Sequence, residues 1–106
     1  MGDRDRRRAL QIARNLLESR INAIEAVRAL TPLLRADMTL TMPQDRKVLL
    51  EIHRETDELP VGRVREEWHP DRLLEGDKEI ERYEKLFGAK VRSICERIAQ
   101  NWGQYH

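Results

Sequence analysis

The sequence predicts an all-α fold: about four helices, three shorter ones packed on one long C-terminal helix. Three observations predict it. Apolar residues recur at spacings of three and four through most of the chain. Charged residues reach 37% against 5% aromatic, which suits helices with wide solvated faces and one narrow apolar stripe each. Helix starts and stops are written at intervals in cap residues, prolines and glycines. A length of 106 residues fits a single helical domain spanning 1–106, with room for one modest core.

The first helix is expected from Asp5 to Ser19, with Leu10, Ala13, Leu16 and Leu17 on one face. Asp3 or Asp5 can cap its start. Arg4, Arg6, Arg7 and Arg8 crowd that same end, where the helix dipole disfavours positive charge. Arg20-Ile21-Asn22 reads as a joint with Asn22 as the next cap. The second helix then runs to about Arg35 on a stripe of Ile24, Val27, Leu30 and Leu34. Pro32 lies inside it and predicts a kink or an early stop, because it removes one backbone donor. So short a joint folds the two helices back as an antiparallel hairpin.

Thr41 and Gln44 have the spacing of a capping box, with Pro43 in the first turn. The third helix is expected from Met42 to about Glu58, with Val48, Leu49 and Ile52 inward. The run Val48–Ile52 is short enough to be read as a strand instead. Leu59-Pro60-Val61-Gly62 stops that element, and Arg63–Glu67 is a connector.

The last helix is the most clearly marked. His69 caps it, Pro70 takes its first position, and Trp68 and Leu73 have the spacing of a hydrophobic staple. Leu73, Ile80, Tyr83, Phe87, Val91, Ile94, Ile98 and Trp102 then form one stripe to a stop at Gly103. Acids lie early (Asp71, Glu75, Asp77, Glu79) and bases late (Lys90, Arg92, Arg97), as the dipole favours. Glu81 and Lys85 can pair at i,i+4. So long a stripe exceeds what short helices cover, and the surplus predicts a homodimer through this helix.

The net charge of +1 points to no polyanion binder. The one cysteine, Cys95, cannot form an intrachain disulfide and suits a reducing compartment. No apolar run approaches the roughly 18 residues of a membrane span, and no apolar stretch follows the arginines as a secretory leader requires. A cytoplasmic protein with no membrane association is expected.

Catalytic and metal chemistry find little support. Cys95 sits on the apolar stripe, and Ser19 and Ser93 have no histidine companion. No phosphate-cradling glycine loop is present. His53, Glu55, Asp57 and Glu58, with Glu66, Glu67, His69 and Asp71, match no zinc or di-iron spacing. No catalytic residue, no metal ligand and no cofactor is expected. Arg4, Arg7 and Arg8, joined by Arg6 and Arg14, are candidate contacts for a partner. A small nucleic-acid binder is one alternative, weakened by the absence of interleaved aromatic residues.

His69-Pro70-Asp71 resembles the loop signature of J-domain co-chaperones. The resemblance implies that these three residues stimulate a partner chaperone's ATPase, and it makes them candidate partner-binding residues. The family also needs a long basic helix before the tripeptide, and here Pro60 and Gly62 interrupt that stretch. More broadly, the chain is similar to small uncharacterised bacterial helical proteins. The likeness rests on Glu55-Thr56-Asp57-Glu58-Leu59-Pro60-Val61-Gly62, Trp68 and Asp77-Lys78-Glu79-Ile80, and it implies no activity. The expected role is a non-enzymatic protein–protein interaction module with an unidentified protein partner, akin to immunity proteins or antitoxins by analogy alone.

Overall fold

In the computed structural model, residues 3–57 and 69–103 are described, and they form helices joined by short turns with no strand among them. These are α1 (Asp3–Leu17), α2 (Ala23–Ala36), α3 (Pro43–Thr56) and α4 (Pro70–Trp102). The stretch Val48–Ile52 is therefore helical. The Leu59–Gly62 stop, the Arg63–Glu67 connector and Trp68, half of the expected staple, lie outside the described residues.

Each short helix buries most of the stripe its spacing announces, with Leu17 of α1 and Val48 of α3 only partly covered. Leu10, Ala13 and Leu16 of α1 are buried, joined by Ala9 and Ile12. Val27, Leu30 and Leu34 of α2 cluster with Leu49 and Ile52 of α3 and Val91, Ile94, Cys95 and Ile98 of α4, and Ile24 of α2 is buried too. α4 packs mainly on α1 and α2 and only lightly on α3. Its 33 residues make a rod of roughly 48 Å that runs along the long axis of the molecule. Its last three turns hold the core residues from Val91 to Ile98, while Leu73, Ile80, Tyr83 and Phe87 before them are only partly covered. Tyr83 and Phe87 stack with ring centroids 5.8 Å apart.

The helix ends correct several expectations. α1 begins at Asp3, so Asp5 lies within the first turn rather than at the cap. It ends at Leu17 in a Schellman arrangement, in which the Ser19 N–H donates to Leu16 O at 2.9 Å and the Arg20 N–H to Asn15 O at 2.8 Å. Ser19 holds the left-handed position of that motif, with φ of 62°. α2 passes through Pro32 without stopping. Buried Leu30 and Leu34 anchor it on either side, and the proline ring faces solvent. The Thr41–Gln44 capping box does not form. Pro43 occupies the first helical position, which makes Met42 the cap, and Met42 has no side-chain acceptor to offer. Thr41 falls one residue outside, and its buried hydroxyl finds no hydrogen-bond partner among the described residues.

Asn22 and His69 do cap as expected. The Asn22 side chain accepts the Glu25 N–H at 2.8 Å, and Glu25 Oε1 accepts the Asn22 N–H in return. His69 Nδ1 accepts the Asp71 N–H at 3.2 Å.

Candidate functional site

Much of the charge in this chain is spent on helix ends. The last carbonyls of a helix lack partners within it, and here arginines from other helices supply them. Arg92 of α4 donates to Leu17 O at the end of α1, at 3.3 Å. Arg46 of α3 donates to Leu34 O near the end of α2, at 3.5 Å. Arg28 of α2 donates to Thr56 O at the end of α3. Burial pushes the Arg28 guanidinium down from its ordinary value, against the opposing pull of Asp57. At the start of α2, Glu84 of α4 accepts the Ile24 N–H at 3.1 Å. A fork-to-fork pair joins α3 to α4, with Arg97 Nε and Nη2 donating to Asp45 at 2.7 and 2.8 Å. None of these links is visible in sequence, because each joins residues at least 12 positions apart.

The N-terminal arginines divide in two. Against its own dipole, α1 carries them at the wrong end. Antiparallel packing on α4, however, brings that end to the C-terminus of α4, where cations are favoured and where α4 has no basic residue of its own in the last turn. The Arg6 guanidinium lies 4.6 Å from the centre of a Trp102 ring. Arg14 Nη2 stands 3.7 Å from where a Cβ on Gly103 would sit. Arg4, Arg7 and Arg8 are different. They are exposed, share one face at i, i+3 and i+4, and have no ion pair among the described residues.

The α2–α3 turn reaches the same end of the bundle. Asp37 accepts bonds from the Thr39 hydroxyl at 2.5 Å and the Thr39 N–H at 2.9 Å. Those two bonds, with help from the charge of Arg6, hold its carboxyl below the usual range. Trp102 Nε1 donates to Leu40 O at 2.9 Å, tying the turn to the end of α4. An open depression of about 350 Å³ lies there, lined by Thr39, Leu40, Thr41, Met42, Asn101 and Trp102. Met38 and Met42 are 66% and 61% exposed beside it.

His69, Pro70 and Asp71 lie at the opposite end of α4, so roughly 48 Å of helix separates them from the arginines. The two groups of candidate residues do not form one site. The tripeptide starts the helix: Pro70 needs no acceptor for a missing N–H, and His69 serves the Asp71 N–H. The Asp71 carboxylate points into solvent, 92% exposed and 3.7 Å from His69 Nδ1. Burial pushes the Cys95 thiol up to about 12, which keeps it protonated and un-nucleophilic near neutrality. Among the described residues no three His, Cys, Asp or Glu side chains gather in a way that could hold a metal ion.

No protein-family model matches the chain, no curated protein matches it, and no solved structure matches it.

Proposed function

We propose that this protein is a non-enzymatic protein–protein interaction module that works through the end of the bundle formed by α1, the α2–α3 turn and the end of α4. One observation carries the reading: Arg4, Arg7 and Arg8, without an ion pair among the described residues, stand exposed at the end where Met38 and Met42 are also exposed. By contrast Arg28, Arg92, Arg97 and Arg6 are engaged with carbonyls, a carboxylate or a ring, while Arg35 and Arg54 are exposed as well. Side chains that hold solvent-facing charge beside solvent-facing apolar surface are what a partner can use. A reducing, cytoplasmic setting suits the free Cys95 thiol.

The test is affinity capture from native lysate with the wild-type chain and with a variant carrying Arg4→Glu, Arg7→Glu and Arg8→Glu. The expected result is a discrete protein partner held by the wild type, lost by the variant and retained after nuclease treatment. A blank, or capture indifferent to the substitutions, overturns the reading.

A second reading rests on α4, whose Leu74 and Leu86 are 62% and 63% exposed: self-association through this helix. No described helix is long and apolar enough to cross a membrane. A sedimentation profile that stays monomeric up to about 100 μM would exclude it.

A further inference from the structure

We propose that the arginine face of α1 docks on the acidic first turns of α4 in a second copy of this chain; this rests on the self-association reading and names the surfaces it uses. The charges are sorted to opposite ends of one rod. Residues 3–8 hold four arginines against Asp3 and Asp5, and residues 71–79 hold four acids against Arg72 and Lys78. Because Arg6 reaches Trp102 and Arg92 reaches Leu17 O, α1 runs antiparallel to the last turns of α4. The start of α1 therefore lies at the far end of α4 from Asp71, with roughly 48 Å of helix between them. Within one molecule the two charged ends never meet. Between two molecules they can.

The two faces match in spacing as well as in sign. Arg4, Arg7 and Arg8 are exposed and lie at i, i+3 and i+4, on the side of α1 turned away from Arg6. Asp71, Leu74 and Glu75 are exposed at the same spacing. The three arginines and Glu75 make no ion pair among the described residues. Asp71 is 92% exposed beside His69, whose Nδ1 already accepts a backbone N–H. Asp71 and Glu75 stand one turn apart, as Arg4 and Arg8 do, so two carboxylates can face two guanidinium forks. Leu74, 62% exposed, falls on that same face, where arginine stems can cover it. Lys78, one turn further on, ends the acidic patch.

Symmetry selects the arrangement. A two-fold axis across the long direction of the bundle lays two copies side by side, head against tail. Both contacts can then form at once, because the separation of the patches is the same in each copy. End-to-end stacking makes one contact per junction and leaves a charged patch open at each tip. Exposed charge pairs are individually weak, so the dimer is expected to be salt-sensitive, with a Kd of about 10–50 μM.

The experiment is sedimentation of the full chain over about 5–100 μM in about 50 mM salt. One variant carries Arg4→Glu, Arg7→Glu and Arg8→Glu; the other carries Asp71→Lys and Glu75→Lys. All five side chains are exposed, and circular dichroism verifies that each variant keeps its helix content. Should Asp71→Lys fray the start of α4, Asp71→Asn with Glu75→Gln replaces it and should also weaken the dimer. The expected result is a wild-type dimer and about tenfold or greater weakening in each variant alone. An equimolar mixture of the two reversed variants should dimerise like the wild type, since each carries the complement of the other. A wild type that stays monomeric overturns this inference together with self-association. A dimer indifferent to both variants, or a mixture no tighter than its components, rejects these surfaces and leaves self-association through other parts of α4 standing. Growth past the dimer rejects the two-fold arrangement.

Discussion

The Arg97–Asp45 pair should behave as a structural lock and not as a surface ion pair. α3 meets α4 only lightly, and this fork spans the seam with bonds of 2.7 and 2.8 Å. An exposed pair contributes about 0–1 kcal/mol, and stranding one member of a fully buried pair costs about 3–5 kcal/mol. Here the Asp45 side chain is 13% exposed and Arg97 44%, so the expectation lies between. Arg97→Ala leaves a mostly covered carboxylate without its donors and should cost about 2 kcal/mol. Asp45→Ala frees Arg97 to turn into water, but it also removes an acid from the first turn of α3, worth about 0.3–1 kcal/mol there; its total is also about 2 kcal/mol. The double variant should cost about 2.5 kcal/mol, giving a coupling of about 1.5 kcal/mol. Urea unfolding of the four proteins measures the cycle, and each single variant should lower Tm by roughly 10 °C. Repeating the cycle in about 1 M salt should preserve most of the coupling, since contact pairs are poorly screened. A coupling below about 0.5 kcal/mol would show that the pair behaves like any exposed one and would refute the reasoning.

Other substitutions test the helix ends and the core. Ser19→Gly should stabilise the protein by about 0.5–1 kcal/mol, because glycine adopts the left-handed angle without the Cβ penalty; chemical denaturation reads the gain. Glu84→Ala should cost about 1 kcal/mol by orphaning the Ile24 N–H at the start of α2, and Glu84→Gln should recover part of that. The Cys95 thiol should resist alkylation at pH 8 until the protein unfolds, so its labelling rate should follow the unfolded fraction. Its raised value also sets a pH window: the stability that comes from burying the neutral thiol is complete below about 9 and is lost as pH rises towards about 12. A Cys95→Ala variant should lack that component of the alkaline decline. Gly103→Ala should destabilise the end of α4, because a Cβ there meets the backbone oxygen of Ala99; loss of the Trp102–Leu40 tie would appear as a change in tryptophan emission.

The helices were legible because their signals are local. The stripe Ile24, Val27, Leu30 and Leu34 is read from spacing alone, and all four residues are buried. Asn22 and His69 announce caps through side chains that need only their next few neighbours. Local reading failed where two local rules competed. At α3, Thr41 and Gln44 offered a capping box, but the preset backbone angle of Pro43 claimed the first position and displaced the start by one residue. At Pro32 the rule for an interior proline was outweighed by burial of Leu30 and Leu34 around it. The site was less legible. Arg6 looked misplaced when α1 was read alone, and its position makes sense only once Trp102 of α4 lies beneath it. Spacing separates Arg6, which precedes buried Ala9, Leu10 and Ala13 by three, four and seven residues, from Arg7, but it does not name Trp102 as the partner. Asp45 and Arg97 likewise looked like ordinary dipole-friendly charges, because their pairing spans 52 positions.

The contact between Arg6 and Trp102 has a topological consequence. The start of α1 and the end of α4 emerge side by side, so the bundle occupies its neighbourhood as a closed loop whose two strands of exit share one doorway. Such a unit can be spliced into a surface turn of a host protein, or have its ends joined and be reopened elsewhere, without stretching either polypeptide. Reporter groups attached near Arg6 and Trp102 would sit close together while the bundle is folded and move apart when it melts.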